Sequence, residues 1–133
     1  MALSVSMFIC ACRPQEQQTV IPYIPIDVTL FTSDPLFIDL SVPGGSAFLN
    51  GGSRGIIVYR LDQDNFVAFD RHCTYDVNNP CGIVELNSDF FLQDFCCNSQ
   101  FLITDGSVFS EPAQFPLQRY RTVFDGNTLR IIN

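Results

Sequence analysis

The chain has 133 residues, which is enough for one domain that removes roughly two thirds of its unfolded surface from water. Hydrophobic residues make up 47% of the chain and charged residues 16%, a balance that excludes a disordered protein. The formal net charge is -7, and the seven basic residues, all arginine, form no basic run. Nucleic acid is therefore excluded as an expected partner.

The first twelve residues are apolar and uncharged, and they are too few to cross a bilayer as a helix. They are typical of an export signal, and the run 9–12, Ile-Cys-Ala-Cys, resembles the lipobox of bacterial lipoproteins. The resemblance implies a signal peptide at 1–11, a lipid anchor on Cys12, a tether at 12–19 and a folded domain at 20–133. We therefore expect an exported, membrane-anchored protein of the cell envelope. A buried strand is the alternative, because the usual positively charged start is missing.

Short apolar runs separated by turn residues follow along the rest of the chain. Pro22 and Pro25 interrupt the run that ends at Phe31, which favours an edge strand. Further runs of strand length are 36–40, 47–49, 55–61, 66–70, 83–86, 90–93, 100–103, 121–124 and 128–132. Turn signals lie at 43–45, 50–52, 62–65, 105–106 and 125–127. The pattern predicts an all-β sandwich or small barrel with little or no helix.

Four cysteines lie in two predicted loops. Cys73 and Cys81 fall in one loop, and the adjacent Cys96 and Cys97 fall in the other. In an exported chain, four such cysteines predict a disulfide framework, for which three connectivities exist.

The same two loops resemble a known family. Residues 73–75, Cys-Thr-Tyr, followed by 94–101, Asp-Phe-Cys-Cys-Asn-Ser-Gln-Phe, look like the paired loops of Rieske iron-sulfur proteins. Residues 105–108 and 111–117 are similar to the stretch that follows the second loop in that family. The resemblance implies a Rieske-like antiparallel sandwich or small barrel with an inserted two-loop subdomain at about 70–116. It also implies a disulfide between Cys81 and Cys96 that joins the loops.

Carried over residue by residue, the four cluster ligands of the family fall on Cys73, Tyr75, Asp94 and Cys97. Only Cys73 keeps the expected residue type, and a Rieske centre needs two imidazoles, whereas this chain has one histidine, His72. We therefore predict a degenerate member without a cofactor, in which a second disulfide joins Cys73 to Cys97. The alternative is an electron-transfer protein that holds iron or a [2Fe–2S] cluster through the four positions.

The predicted function is a non-catalytic module with a structural or binding role, and no enzymatic activity is expected. The loop tip around Tyr75, Phe95 and Asn98 is the candidate surface for a protein partner. His72 is a candidate proton donor or lone metal ligand, although a loop histidine of this kind is more often only hydrogen bonded.

Other constellations predict turns rather than sites. The acidic run that contains Asp62, Asp64 and Asp70 lacks the twelve-residue calcium loop. The glycine-rich stretch 50–55 lacks the Gly-Lys-Ser/Thr ending of a phosphate loop. No serine, histidine and aspartate combination with a nucleophile elbow is present.

Overall fold

The computed structural model describes residues 20–88 and 90–133. The predicted signal peptide, tether and lipidation site at Cys12 lie outside these ranges and stay predictions. Within the described ranges, no helix combines the length and the hydropathy that a bilayer crossing requires.

The described residues form ten strands and one short 3-10 helix. The helix is Pro35–Ser41. The strands are β1 (Asp27–Phe31), β2 (Ser46–Leu49), β3 (Ile56–Arg60), β4 (Phe66–Asp70), β5 (Val84–Leu86), β6 (Phe91–Asp94), β7 (Gln100–Leu102), β8 (Val108–Ser110), β9 (Arg119–Phe124) and β10 (Thr128–Ile132). The predicted all-β class is confirmed.

Two antiparallel sheets divide these strands between them. The larger sheet has the order β1-β10-β9-β4-β3-β2, and the smaller one has the order β5-β6-β7-β8. The chain leaves the larger sheet at the end of β4, builds the whole smaller sheet, and returns at β9. The predicted inserted subdomain is thus confirmed, and β1 lies at the edge of its sheet as the two prolines before it indicated.

Strand β4 holds the two halves together because it is buried along its whole length. Side chains alternate between the two faces of a strand. Val67 and Phe69 therefore pack in the core that includes the smaller sheet, while Phe66 and Ala68 pack in the core enclosed by the larger sheet. Strand β4 ends at Asp70, and the first loop of the inserted subdomain begins directly after this doubly buried strand.

The structure departs from the predicted strands at two places. The run 36–40 forms the 3-10 helix instead of a strand, because Asp34 caps the backbone N–H of Leu36 and Pro35 occupies the first helical position. Strand β8 was not predicted. It has only three residues, too few to show an alternation of apolar and polar side chains in the sequence. Its pairing with β7 also contains a register shift.

Candidate functional site

A disulfide joins the two loops of the inserted subdomain. Loop 1 is residues 71–83, between β4 and β5, and loop 2 is residues 95–99, between β6 and β7. Cys81 of loop 1 is bonded to Cys96 of loop 2, with a Cα–Cα separation of 6.1 Å. This predicted disulfide is confirmed, and it closes the subdomain at its exposed end.

A cluster of two thiols and a carboxylate lies beside the disulfide. One ligand atom each from Cys73, Asp94 and Cys97 lies within 4.8 Å of the others. Cys73 and Asp94 are buried, and Cys97 is half-buried. The predicted disulfide between Cys73 and Cys97 is not formed in the structure, where both cysteines are free. Cys73 and Cys97 do lie close together, but their thiols face the carboxylate of Asp94 instead of bonding to each other.

Hydrogen bonds organise the cluster around the carboxylate of Asp94. The thiol of Cys97 donates to Oδ2 of Asp94 at 3.3 Å and lies 3.1 Å from the hydroxyl of Ser99. The backbone N–H of Cys96 donates to Oδ1 of Asp94 at 2.8 Å, which fixes the turn into loop 2. Burial raises the pKa of the Cys73 thiol well above its usual range, and the hydrogen bond to Asp94 acts in the same direction. The Cys73 thiol is therefore protonated at neutral pH.

A second buried carboxylate, Asp70, holds the start of loop 1 by hydrogen bonds. It accepts hydrogen bonds from the backbone N–H groups of Ser53 at 2.6 Å, Arg54 at 3.2 Å and His72 at 2.9 Å. The hydroxyl of Tyr120 donates to it at 2.6 Å. Burial raises the pKa of the Tyr120 phenol, and the bond to Asp70 raises it further. Asp70 thus joins the turn before β3, the start of loop 1 and strand β9.

Arg54 holds loop 1 through its guanidinium group. The group donates to the backbone carbonyls of Asn79 at 2.6 Å, Gly82 at 2.9 Å and Val77 at 3.2 Å. Its own backbone N–H donates to Asp70. One arginine therefore connects the turn at 50–55 with three points along loop 1, and Gly52 gives that turn its positive φ of 62°.

His72 is a structural residue in this arrangement. Its Nε2 lies 2.7 Å from the carbonyl of Val77 and its Nδ1 lies 2.8 Å from the hydroxyl of Ser53. A carbonyl only accepts hydrogen bonds, so Nε2 carries a proton and neither ring nitrogen is free to bind a metal. The ring is buried. The interpretation of His72 as a hydrogen-bonded loop histidine therefore fits the structure, and the interpretation as a metal ligand does not.

The remaining predicted residues lie at the surface. Tyr75 is 44% exposed and Phe95 is 56% exposed, and Asn98 is also exposed. The backbone N–H of Tyr75 donates a hydrogen bond to the Cys73 sulfur, so the backbone of Tyr75 lies beside the cluster. In the alternative metal-binding hypothesis, the phenol of Tyr75 was one of the four ligands, but Tyr75 is exposed whereas Cys73 and Asp94 are buried.

The sequence analysis did not predict the hydrogen-bond network of Arg54, Asp70 and Tyr120 that holds loop 1. The stretch 50–55 was interpreted as an ordinary turn, and Tyr120 was assigned no role. Two signals were available in the sequence. One was Arg54 in a glycine-rich turn, and the other was Asp70 at the end of an otherwise apolar strand. A buried acid at the end of such a strand requires several donors, so Asp70 pointed to a network without identifying its members.

Comparisons with known proteins give similar folds but no family. No family model and no curated protein matches the chain. One similar solved structure is described as an NADH-dependent nitrite reductase small subunit from Mycobacterium tuberculosis, with 18% identity, a TM-score of 0.49, and coverage of 84% of this chain and 97% of that one. Another is the E. coli protein NirD, with 14% identity, a TM-score of 0.47, and coverage of 80% and 98%. A third is described as an NADPH nitrite reductase small subunit, with 13% identity, a TM-score of 0.43, and coverage of 69% and 89%.

These findings correct the family assignment. The similar structures are described as nitrite reductase small subunits, and none of the three is described as a Rieske iron-sulfur protein or a lipoprotein. The prediction of a degenerate Rieske-type lipoprotein is therefore wrong, although the predicted fold class is right. The loop pattern predicted the fold and the disulfide from Cys81 to Cys96, but a pattern of this kind does not by itself decide the family. The residues present do not fit a Rieske centre, because the one imidazole is engaged elsewhere.

Proposed function

We propose that the protein is a non-catalytic binding module that engages a protein partner through the loop tip of Tyr75, Phe95 and Asn98. The observation that carries the proposal is the exposure of two aromatic side chains on loops that are otherwise tightly held. Phe95 lies directly between the buried Asp94 and the disulfide-bonded Cys96, so its backbone is fixed on both sides. An aromatic side chain that is exposed on a rigid support is typical of a binding hot spot.

The rigidity of the two loops supports the proposal, because a rigid loop loses little conformational entropy when it binds a partner. Ordering a flexible loop on binding costs free energy that a pre-organised loop does not lose. Loop 1 is held by Arg54, by the disulfide and by its hydrogen bonds to the strands, and loop 2 by Asp94. The loop tip therefore presents its aromatic surface at a low entropic cost.

A third exposed aromatic residue lies in a segment next to loop 1. Phe115, 43% exposed, belongs to the segment between β8 and β9. Its backbone carbonyl accepts a hydrogen bond of 2.6 Å from the hydroxyl of Thr74 in loop 1, so the segment lies against that loop. Three separate parts of the chain thus contribute an exposed aromatic residue near the buried cluster, which favours a continuous apolar contact area.

We infer an oxidising location for the protein. The support is the disulfide between Cys81 and Cys96, since disulfides persist in exported proteins and are rare in reducing compartments. Attachment to a membrane through Cys12 stays a prediction, because this residue lies outside the described ranges. Mass measurement of the protein isolated from its native cells tests both points, since a lipid on Cys12 adds mass and an intact disulfide removes two hydrogens.

Site-specific photo-crosslinking in the native cell tests the binding surface. A crosslinking amino acid at Phe95 or Tyr75 is expected to give one adduct of the same mass from both positions. Phe31, which is 50% exposed on edge strand β1, is the matched control and is expected to give no such adduct. Equal yields of the same adduct from position 31 and position 95 would contradict the proposal.

A further inference from the structure

The cluster beneath the loop tip contains the atoms of a soft metal site. Cys73 comes from loop 1, Asp94 ends strand β6 and Cys97 lies in loop 2, so the three residues reach a common point from two separate parts of the subdomain. Two sulfur atoms and one carboxylate oxygen within 4.8 Å of one another form a set that suits a borderline-soft divalent ion.

The second observation is the unequal satisfaction of the two buried carboxylates. Asp70 takes four strong donors, three backbone N–H groups and the Tyr120 hydroxyl. Asp94, which is 1% exposed, takes one backbone N–H group and the thiols of Cys73 and Cys97. Thiols are weak donors. A buried carboxylate requires strong partners or a cation. Asp70 has four strong partners, whereas Asp94 has one, the backbone N–H of Cys96.

We propose that Cys73, Asp94 and Cys97 bind one Zn²⁺ ion. Zinc takes thiolate sulfur at about 2.3 Å and carboxylate oxygen at about 2.0–2.2 Å in tetrahedral geometry, which separates a sulfur from an oxygen ligand by about 3.6 Å. The Cys97 sulfur already lies 3.3 Å from Oδ2 of Asp94. The ion would therefore enter with small movements of the side chains.

The balance of charge and protons follows from the ligands. Zn²⁺ displaces one proton from each thiol, so two protons leave and the site of two thiolates, one carboxylate and one ion has a charge of -1. Three protein ligands leave one tetrahedral position for water.

Zinc fits this site better than the other ions that proteins commonly bind. Calcium and magnesium prefer oxygen ligands throughout, whereas two of these three ligands are sulfur. Zinc has no redox chemistry, and its bonds to both sulfur atoms prevent their joining in a disulfide. The ion would then connect loop 1 with loop 2 beside the covalent connection from Cys81 to Cys96.

The test measures zinc in the full chain purified anaerobically without chelator. We expect one zinc per chain, and replacement by Co²⁺ is expected to produce a thiolate-to-cobalt charge-transfer band. Cys97→Ser and Asp94→Asn are expected to lower zinc affinity by more than 100-fold, since loss of a group that merely supports a ligand already costs roughly 10- to 100-fold. Asp64→Asn, at an exposed carboxylate, is expected to bind zinc as the unaltered protein does.

Two controls keep the outcome decisive. Circular dichroism and the presence of the Cys81–Cys96 disulfide show whether Cys97→Ser and Asp94→Asn are folded, and Cys97 is chosen over the wholly buried Cys73 for this reason. Zinc that stays bound in both folded variants would overturn the proposal. Protein with free Cys73 and Cys97 thiols that takes up no zinc, or protein isolated with these two residues in a disulfide, would also overturn it.

Discussion

Removing the hydroxyl of Tyr120 should measure how much the buried network under loop 1 stabilises the fold. Tyr120→Phe deletes the 2.6 Å hydrogen bond to Asp70 and leaves the packing of the ring unchanged. Hydrogen bonds to charged groups contribute about 1.5–3 kcal/mol, and Asp70 keeps three backbone donors after the change. We therefore expect the free energy of unfolding to fall by about 2 kcal/mol, which lowers Tm by about 6–10 °C for a domain of this size.

Thermal and urea denaturation followed by circular dichroism provide the assay. Tyr23→Phe is the matched control, because Tyr23 is 69% exposed and its change is expected to leave Tm unaltered. A free energy of unfolding for Tyr120→Phe within about 0.5 kcal/mol of the unaltered protein would refute the reasoning. It would mean that the buried carboxylate is satisfied without the phenol.

Three further predictions concern the loops and the titration of buried groups. Arg54→Ala, which removes three hydrogen bonds to loop 1, should speed amide exchange in that loop at least about tenfold, and unchanged exchange would argue against the role of Arg54. In protein freed of metal by a chelator, stability should fall as pH rises above about 9, because Cys73 and Tyr120 have higher pKa values folded than unfolded, so the unfolded chain ionises first. Urea titrations at pH 8 and pH 10.5 should differ, and equal values would contradict this. Cys81→Ser/Cys96→Ser should cost about 3 kcal/mol in urea denaturation, given the 15-residue separation, and a loss near zero would count against the disulfide as a stabilising connection.

The strands were predictable because their signals are local. The run 66–70 was predicted with its observed bounds, since turn residues precede it and every residue up to Asp70 is apolar. The run 36–40 was misassigned because a short apolar run does not distinguish a strand from a 3-10 helix. There the information lay in the flanking pair Asp34 and Pro35, which starts a helix.

The candidate site was predictable only in part. The positions of the cysteines left three connectivities open, and the disulfide from Cys81 to Cys96 was predicted from the resemblance of the two loops to those of Rieske proteins. The state of Cys73 and Cys97 did not follow, because spacing places two sulfur atoms near each other without deciding whether they are bonded, protonated or metal-bound. The contact between Asp70 and Tyr120 joins residues fifty positions apart and depends on the return of the chain to strand β9, which no local pattern records.

The role of the loop tip is tested most directly by the affinity of the crosslinked partner for two alanine variants. Phe95→Ala removes an exposed aromatic side chain from the proposed binding surface, and Phe31→Ala removes a similarly exposed one from the edge of the larger sheet. We predict that titration calorimetry gives a Kd at least about tenfold weaker for Phe95→Ala and an unchanged Kd for Phe31→Ala. Equal affinities of the two variants would contradict the account.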